Sequence, residues 1–134
     1  MRARVLLADD HRAMLDTVGQ LLGREFDIVG ATTDGQAVLD AAAELEPDVV
    51  VLDISMPVLN GLGAAQRLKQ MRSGAKIVFL TVQEDPDVAR QALATGALGY
   101  VVKSSVVSEL VFAIREALAD RSFVSRSVLL EEPT

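Results

Sequence analysis

Cysteine and tryptophan are absent from the 134 residues, and tyrosine and histidine occur once each. Without cysteine there is no disulfide frame and no thiolate metal site, which fits a reducing interior. No apolar stretch approaches the roughly 20 residues that a membrane span needs, and residues 1 to 30 lack a cleavable signal pattern. A cytoplasmic location without membrane attachment is therefore expected. Cationic charge is also in deficit: 13 lysines and arginines face 19 acids, for a formal net charge of -6. Nucleic-acid modules normally present a net basic face, so this chain by itself is not expected to hold DNA. What is present is apolar bulk. Half the residues are hydrophobic, enough for one core at this length and too little chain for two.

Short β-rich runs alternate with segments of helical period. Strands are expected near residues 4 to 8, 26 to 31, 48 to 53, 76 to 81 and 98 to 102, where Val, Ile, Phe and Leu cluster between polar or Gly punctuation. Helical stripes lie between them: Met14, Val18, Leu21 and Leu22; Val38, Ala41, Ala42 and Leu45; Ala64, Leu68 and Met71. A fourth helix is expected from Pro86 to a stop at Gly96. A fifth carries Leu110, Ala113, Ile114, Ala117 and Leu118, with Ser104 or Ser105 as its cap. Five strand-helix pairs imply an α/β three-layer sandwich, a parallel five-stranded sheet covered on both faces with right-handed crossovers. Val49-Val50-Val51-Leu52 has no alternation, as expected for a strand buried on both faces. Placing it centrally gives the flavodoxin-like order 2-1-3-4-5, with a ligand crevice at the carboxyl ends of strands one, three and four.

That order turns positions into a site. Asp53 ends the third strand, and Asp9 and Asp10 end the first beside it. Thr81 ends the fourth strand on the other side, and Lys103 follows the fifth. Three neighbouring carboxylates repel unless a divalent cation sits among them or one is protonated. A hard all-oxygen site with room for water and phosphate suits Mg²⁺ better than zinc. An ionised Asp53 beside that metal can attack phosphorus and form an acyl phosphate. The metal, Lys103 and the Thr81 hydroxyl would then share the phosphoryl charge. Taken singly each residue has a plainer reading: helix capping for Asp9 and Asp10, a turn for Asp53, strand formation for Thr81, core packing for Tyr100, a solvated charge for Lys103. Those readings give no reason for the polar positions to share one sheet edge.

Ala8-Asp9-Asp10-His11, Asp53-Ile54-Ser55-Met56-Pro57 with Asn60-Gly61, the strand-ending Thr81, and Gly99-Tyr100-Val101-Val102-Lys103 occur in order at spacings that resemble a response-regulator receiver domain of bacterial two-component systems. The resemblance covers residues 3 to about 120, and its details are most similar to the NarL/FixJ (LuxR-type) subfamily. It implies a signalling domain that catalyses only its own phosphorylation and dephosphorylation. Asp53 would be the phosphoacceptor for the phosphohistidine of a sensor histidine kinase. Mg²⁺ would be bound directly by Asp10, Asp53 and the backbone carbonyl of Ser55, and through water by Asp9. Thr81 and Tyr100 would form the switch, the ring turning inward as the hydroxyl moves to the phosphoryl group, with change at helix four, strand five and helix five. Ser55 and Gln83 would tune dephosphorylation. Phosphorylation is expected to promote a homodimer.

The single histidine, His11, is read as a first-turn residue near the site rather than a ligand. The proline that follows the lysine in many receivers is replaced here by Ser104-Ser105. Residues 1 to 120 are assigned to the receiver domain. Residues 121 to 134 are read as a linker or short C-terminal tail, as a helix with exposed Val128, Leu129 and Leu130 in one version. The chain is expected to be a piece cut from a transcription regulator whose helix-turn-helix DNA-binding output domain lies further on. A natural single-domain receiver that docks to a partner is the alternative. An aspartyl phosphatase of the haloacid-dehalogenase type is disfavoured because Asp53-Ile54-Ser55 lacks the second acid, and a flavin or nucleotide binder because Asp9-Asp10 would repel phosphate.

Overall fold

The computed structural model describes residues 2 to 128. Its elements run β1 (Arg4–Ala8), α1 (Arg12–Leu22), β2 (Asp27–Thr32), α2 (Gly35–Leu45), β3 (Val49–Leu52), α3 (Gly61–Gln70), β4 (Lys76–Thr81), α4 (Pro86–Ala94), β5 (Gly99–Val102), α5 (Val106–Leu118) and β6 (Phe123–Val124). The sheet order is β2-β1-β3-β4-β5-β6, and every pair is parallel. The expected order of the first five strands is observed.

Side-chain alternation along the strands divides the core into two layers. Leu6, Val50, Leu52, Phe79, Tyr100 and Val102 face α2, α3 and α4. Val5, Leu7, Val49, Val51, Val78, Leu80 and Val101 face α1 and α5. All four residues of β3 are buried, because both faces of a central parallel strand are covered by helices. Local chemistry starts the helices on one face. The side chains of Asp34, Asn60 and Asp85 accept from backbone N–H groups of Ala37, Gly63 and Asp87 at 2.8–2.9 Å, and Pro86 opens α4 where its missing N–H costs nothing.

The structure corrects the expectation at four places. The sheet has six strands, not five: β6 pairs with β5, Gly99 opposite Phe123 and Tyr100 opposite Val124. Unpaired backbone groups on the β5 edge supply the reason, since a passing extended segment satisfies them. Val128 is buried, 5% exposed, in the layer that holds Tyr100 and Val102, and not an exposed residue of a tail helix; Leu129 and Leu130 lie outside the described residues. Met71 falls at the C-cap of α3 and is 46% exposed, because the helix stops before a further turn carries it inward. Ser105 occupies the N-cap position of α5 without a side-chain cap bond, residues Lys103–Ser105 forming a 3-10 turn. No helix among the described residues is long and apolar enough to cross a membrane.

Candidate functional site

The carboxyl ends of β1, β3, β4 and β5 converge as the topology requires. Asp53 follows β3 directly, its N–H donating to the Ala8 carbonyl at 3.0 Å, while the Asp9 N–H donates to Thr32 at 3.0 Å. Both carboxylates are therefore placed by ladder hydrogen bonds that continue past the strand ends. Asp53 is 2% and Asp9 4% exposed. Behind Asp53 the start of α3 approaches closely: the Gly61 N–H donates to Ile54 at 2.7 Å, and a Cβ on Gly61 would stand 2.0 Å from the Asp53 carbonyl oxygen. Only glycine fits that position.

Lys103 joins the two buried acids. Its Nζ donates to Asp53 Oδ2 at 3.3 Å and lies 2.7 Å from Asp9 Oδ2. The ammonium thus partners one buried oxygen of each acid. Burial, aided by the Asp9 charge, raises the pKa of Asp53 against the opposing pull of Lys103. For Lys103, burial works to lower the pKa, but the two carboxylates outweigh it and hold the ammonium above its ordinary value. Asp10 is more open, and its Oδ1 lies 3.0 Å from His11 Nδ1. Asp9 Oδ1 accepts the His11 N–H at 2.9 Å, fixing the turn into α1.

Thr81 is fully buried at the end of β4. Its hydroxyl accepts from the Gln83 N–H at 3.2 Å. Tyr100 is also fully buried, and its hydroxyl donates to the Gln83 carbonyl at 2.8 Å. Burial, with Asp85 nearby, pushes the phenol up to about 12, so it remains a donor. The Gln83 backbone thus links Thr81 to Tyr100, a connection invisible in sequence because it uses no side chain of Gln83. Ser55 and Gln83 themselves are exposed on the loops after β3 and β4. Among the described residues, Asp9, Asp10, His11 and Asp53 each offer a ligand atom within 4.8 Å of the others. The structure thus brings Asp9, Asp53 and Lys103 into contact, sets Asp10 and His11 at their rim, and holds Thr81 and Tyr100 one step away.

A parallel sheet of this order with acids, lysine and hydroxyl at one edge defines a class, and comparison agrees with it. Residues 5–115 match the model of the response regulator receiver domain, and the chain belongs to that family. Within it the chain is of the NarL/LuxR type. It is 35% identical over 124 residues to the uncharacterized transcriptional regulatory protein YvfU of Bacillus subtilis, covering 91% of this chain and 62% of that one. With the transcriptional regulatory protein DesR of the same organism it shares 38% over 116 residues, covering 85% and 57%. The chain thus spans less than two thirds of the length of these relatives. Among solved structures, a LuxR-family two-component response regulator from Aurantimonas sp. SI85-9A1 superposes with a TM-score of 0.87 at 32% identity, covering 93% of this chain and 90% of that one.

Proposed function

We propose that this receiver takes a phosphoryl group onto Asp53 from the phosphohistidine of a sensor histidine kinase in the cytoplasm, with Mg²⁺ held by Asp9, Asp10, Asp53 and the Ser55 carbonyl. The observation that carries the reading is the Lys103 ammonium between two buried carboxylates, 2.7 Å from Asp9 and 3.3 Å from Asp53. Three acids against one ammonium leave two negative charges in excess. An all-oxygen donor set of this charge fits a hard divalent cation. When bound, Mg²⁺ supplies charge neutralisation for the carboxylates and the incoming phosphoryl oxygens.

The rest of the chemistry belongs to the chain. An Asp53 oxygen forms a bond to phosphorus as the phosphorus–nitrogen bond of the donor breaks, and no general base is needed because the nucleophile is a carboxylate. Lys103, charged at neutral pH, is placed to take a phosphoryl oxygen. The Thr81 hydroxyl would leave the Gln83 N–H for the phosphoryl group. Since Tyr100 is bonded to the carbonyl of the same residue, Gln83, that departure would reach Tyr100 and with it the surface of α4, β5 and α5. The exposed Ser55 and Gln83 side chains flank the route of the hydrolytic water and set the lifetime of the phosphorylated state. In the whole protein this switch would drive a helix-turn-helix output domain, in keeping with relatives named as transcriptional regulators.

Incubation with Mg²⁺ and acetyl phosphate should add one phosphoryl group by intact mass, and Asp53→Asn should abolish it. Unchanged labelling of the variant would overturn the assignment. Beryllofluoride, as a phosphoryl mimic, should raise the sedimenting mass through homodimer formation; identical mass in both states would remove dimerisation from the reading.

A further inference from the structure

β2 contributes no side chain to the site, yet its end and the connection into α2 touch both acid-bearing loops. The Thr32 carbonyl accepts the Asp9 N–H at 3.0 Å, and two residues later the Asp34 side chain caps α2 by accepting the Ala37 N–H at 2.8 Å. Gly35, the first residue of α2, then meets the β3–α3 loop. Its N–H donates to the Pro57 carbonyl at 3.4 Å, and a Cβ at Gly35 would stand 1.8 Å from the Leu59 carbonyl oxygen and 2.6 Å from the carbon. Glycine is required here for close approach, and any side chain must displace either the helix start or the loop. The helix start is the firmer side, held by the Asp34 cap and by buried Val38 and Leu39. The loop is the softer side, with Ser55, Pro57 and Val58 exposed, and its far end is pinned by Gly61 against Asp53. A push at Leu59 is therefore taken up in the stretch that carries the Ser55 carbonyl.

We propose that Gly35 is a positioning residue for phosphoryl transfer: by letting α2 start against the Leu59 backbone, it sets where the β3–α3 loop holds the Ser55 carbonyl relative to Asp53 and the Asp9 end of β1. One short connection thus fixes Asp9 through Thr32 and the loop through Gly35, so the two oxygen-bearing segments keep a single spacing. Small displacements matter there. Mg²⁺ demands near-ideal octahedral geometry, and a misplacement of about 1 Å at a reacting group can cost on the order of a hundredfold in rate. This role rests on the cation site of the proposed function.

Mg²⁺ affinity by titration calorimetry and the initial rate of labelling by acetyl phosphate, read by intact mass, test it in wild type and four variants. Gly35→Ala should bind Mg²⁺ at least about tenfold more weakly and label more slowly. Leu45→Ala loosens the other end of α2, where Leu45 packs partly buried against the core, and should leave both readings unchanged. Asp34→Ala removes the cap and lets the first turn fray, so Mg²⁺ affinity should fall in the same direction. Asp34→Asn keeps a cap without the charge and should retain wild-type affinity. Wild-type affinity and rate in Gly35→Ala overturn the inference, as does an equal loss in Leu45→Ala, which would make the effect a general loosening of α2. Should Gly35→Ala not fold, the Asp34 pair decides: weakened Asp34→Ala beside intact Asp34→Asn upholds the role, and equal affinity in the two overturns it. Wild type that binds no Mg²⁺ sinks the proposed cation site and this role with it, an outcome distinct from variants that match a binding wild type.

Discussion

Burial raises the pKa of Asp53, the Asp9 charge adds to that rise, and Lys103 opposes both. A folded-state pKa above the unfolded value means that the native chain binds more protons in the interval between the two. Stability therefore falls as pH rises across that interval, and the loss persists at neutral pH. Asp53→Asn removes the charge while Lys103 keeps Asp9 as a partner. The variant should melt higher than wild type at pH 7, by several degrees on the order expected for about 1 kcal/mol. The gain should shrink below the ordinary carboxylate range and when Mg²⁺ is added. Thermal melts of the two proteins at several pH values measure it, and equal melting at pH 7 would show that Lys103 already compensates the burial. The positions of Asp9, Asp53, Thr81 and Lys103 were legible in sequence because each ends a run of strand-forming residues. The Gln83 peptide and the approach of His11 to Asp10 were not, since they depend on backbone course and on the angle of a loop.

The loop from β3 to α3 concentrates backbone strain next to Asp53. Val58 has φ 70, and the Leu59 N–H reaches back to the Pro57 carbonyl at 2.8 Å. That is the hydrogen bond and φ of the rare, strained γ-turn with a positive-φ centre. A β-branched residue is poorly suited to it, and Val58 recovers little by packing, being 82% exposed. Val58→Gly should therefore raise stability, relief of strain outweighing the added flexibility of the unfolded chain by about 1 kcal/mol. A urea midpoint that rises at constant m would bear this out; a lowered midpoint would mean that the Val58 side chain restrains the loop. Sequence offered a turn at Asp53, but the conformation of Val58 follows from the need to bring Gly61 against the back of Asp53, a constraint set by the packed pair of elements.

Across the whole molecule, residues 123 to 128 are tied to the sheet. Phe123 also packs edge-on against Phe112, ring centroids 5.4 Å apart. Ser125 is buried, its hydroxyl accepting from the Val102 N–H at 2.9 Å and donating to the Glu109 carboxylate. Val128 closes over the layer beneath. Periodicity could not show this, because two residues of strand and one buried serine have no repeat to detect. The proposed domain boundary at residue 120 is thereby open to direct test. Ending the chain after Asp120 would strip β5 of its outer neighbour β6, leave the Val102 N–H without its acceptor and expose the Val128 site. One orphaned buried donor and one lost apolar side chain together cost about 2–4 kcal/mol, so the shortened chain should unfold at a clearly lower urea concentration. It should also phosphorylate more slowly, because Val102 adjoins Lys103 and the tail steadies the strand end that carries the ammonium. Equal stability and equal rate of labelling would make residues 121 to 128 a linker resting on the domain; loss of both would place them within the folding unit and give any following segment a mechanical link, through Ser125 and Val102, to the strand that ends at the site.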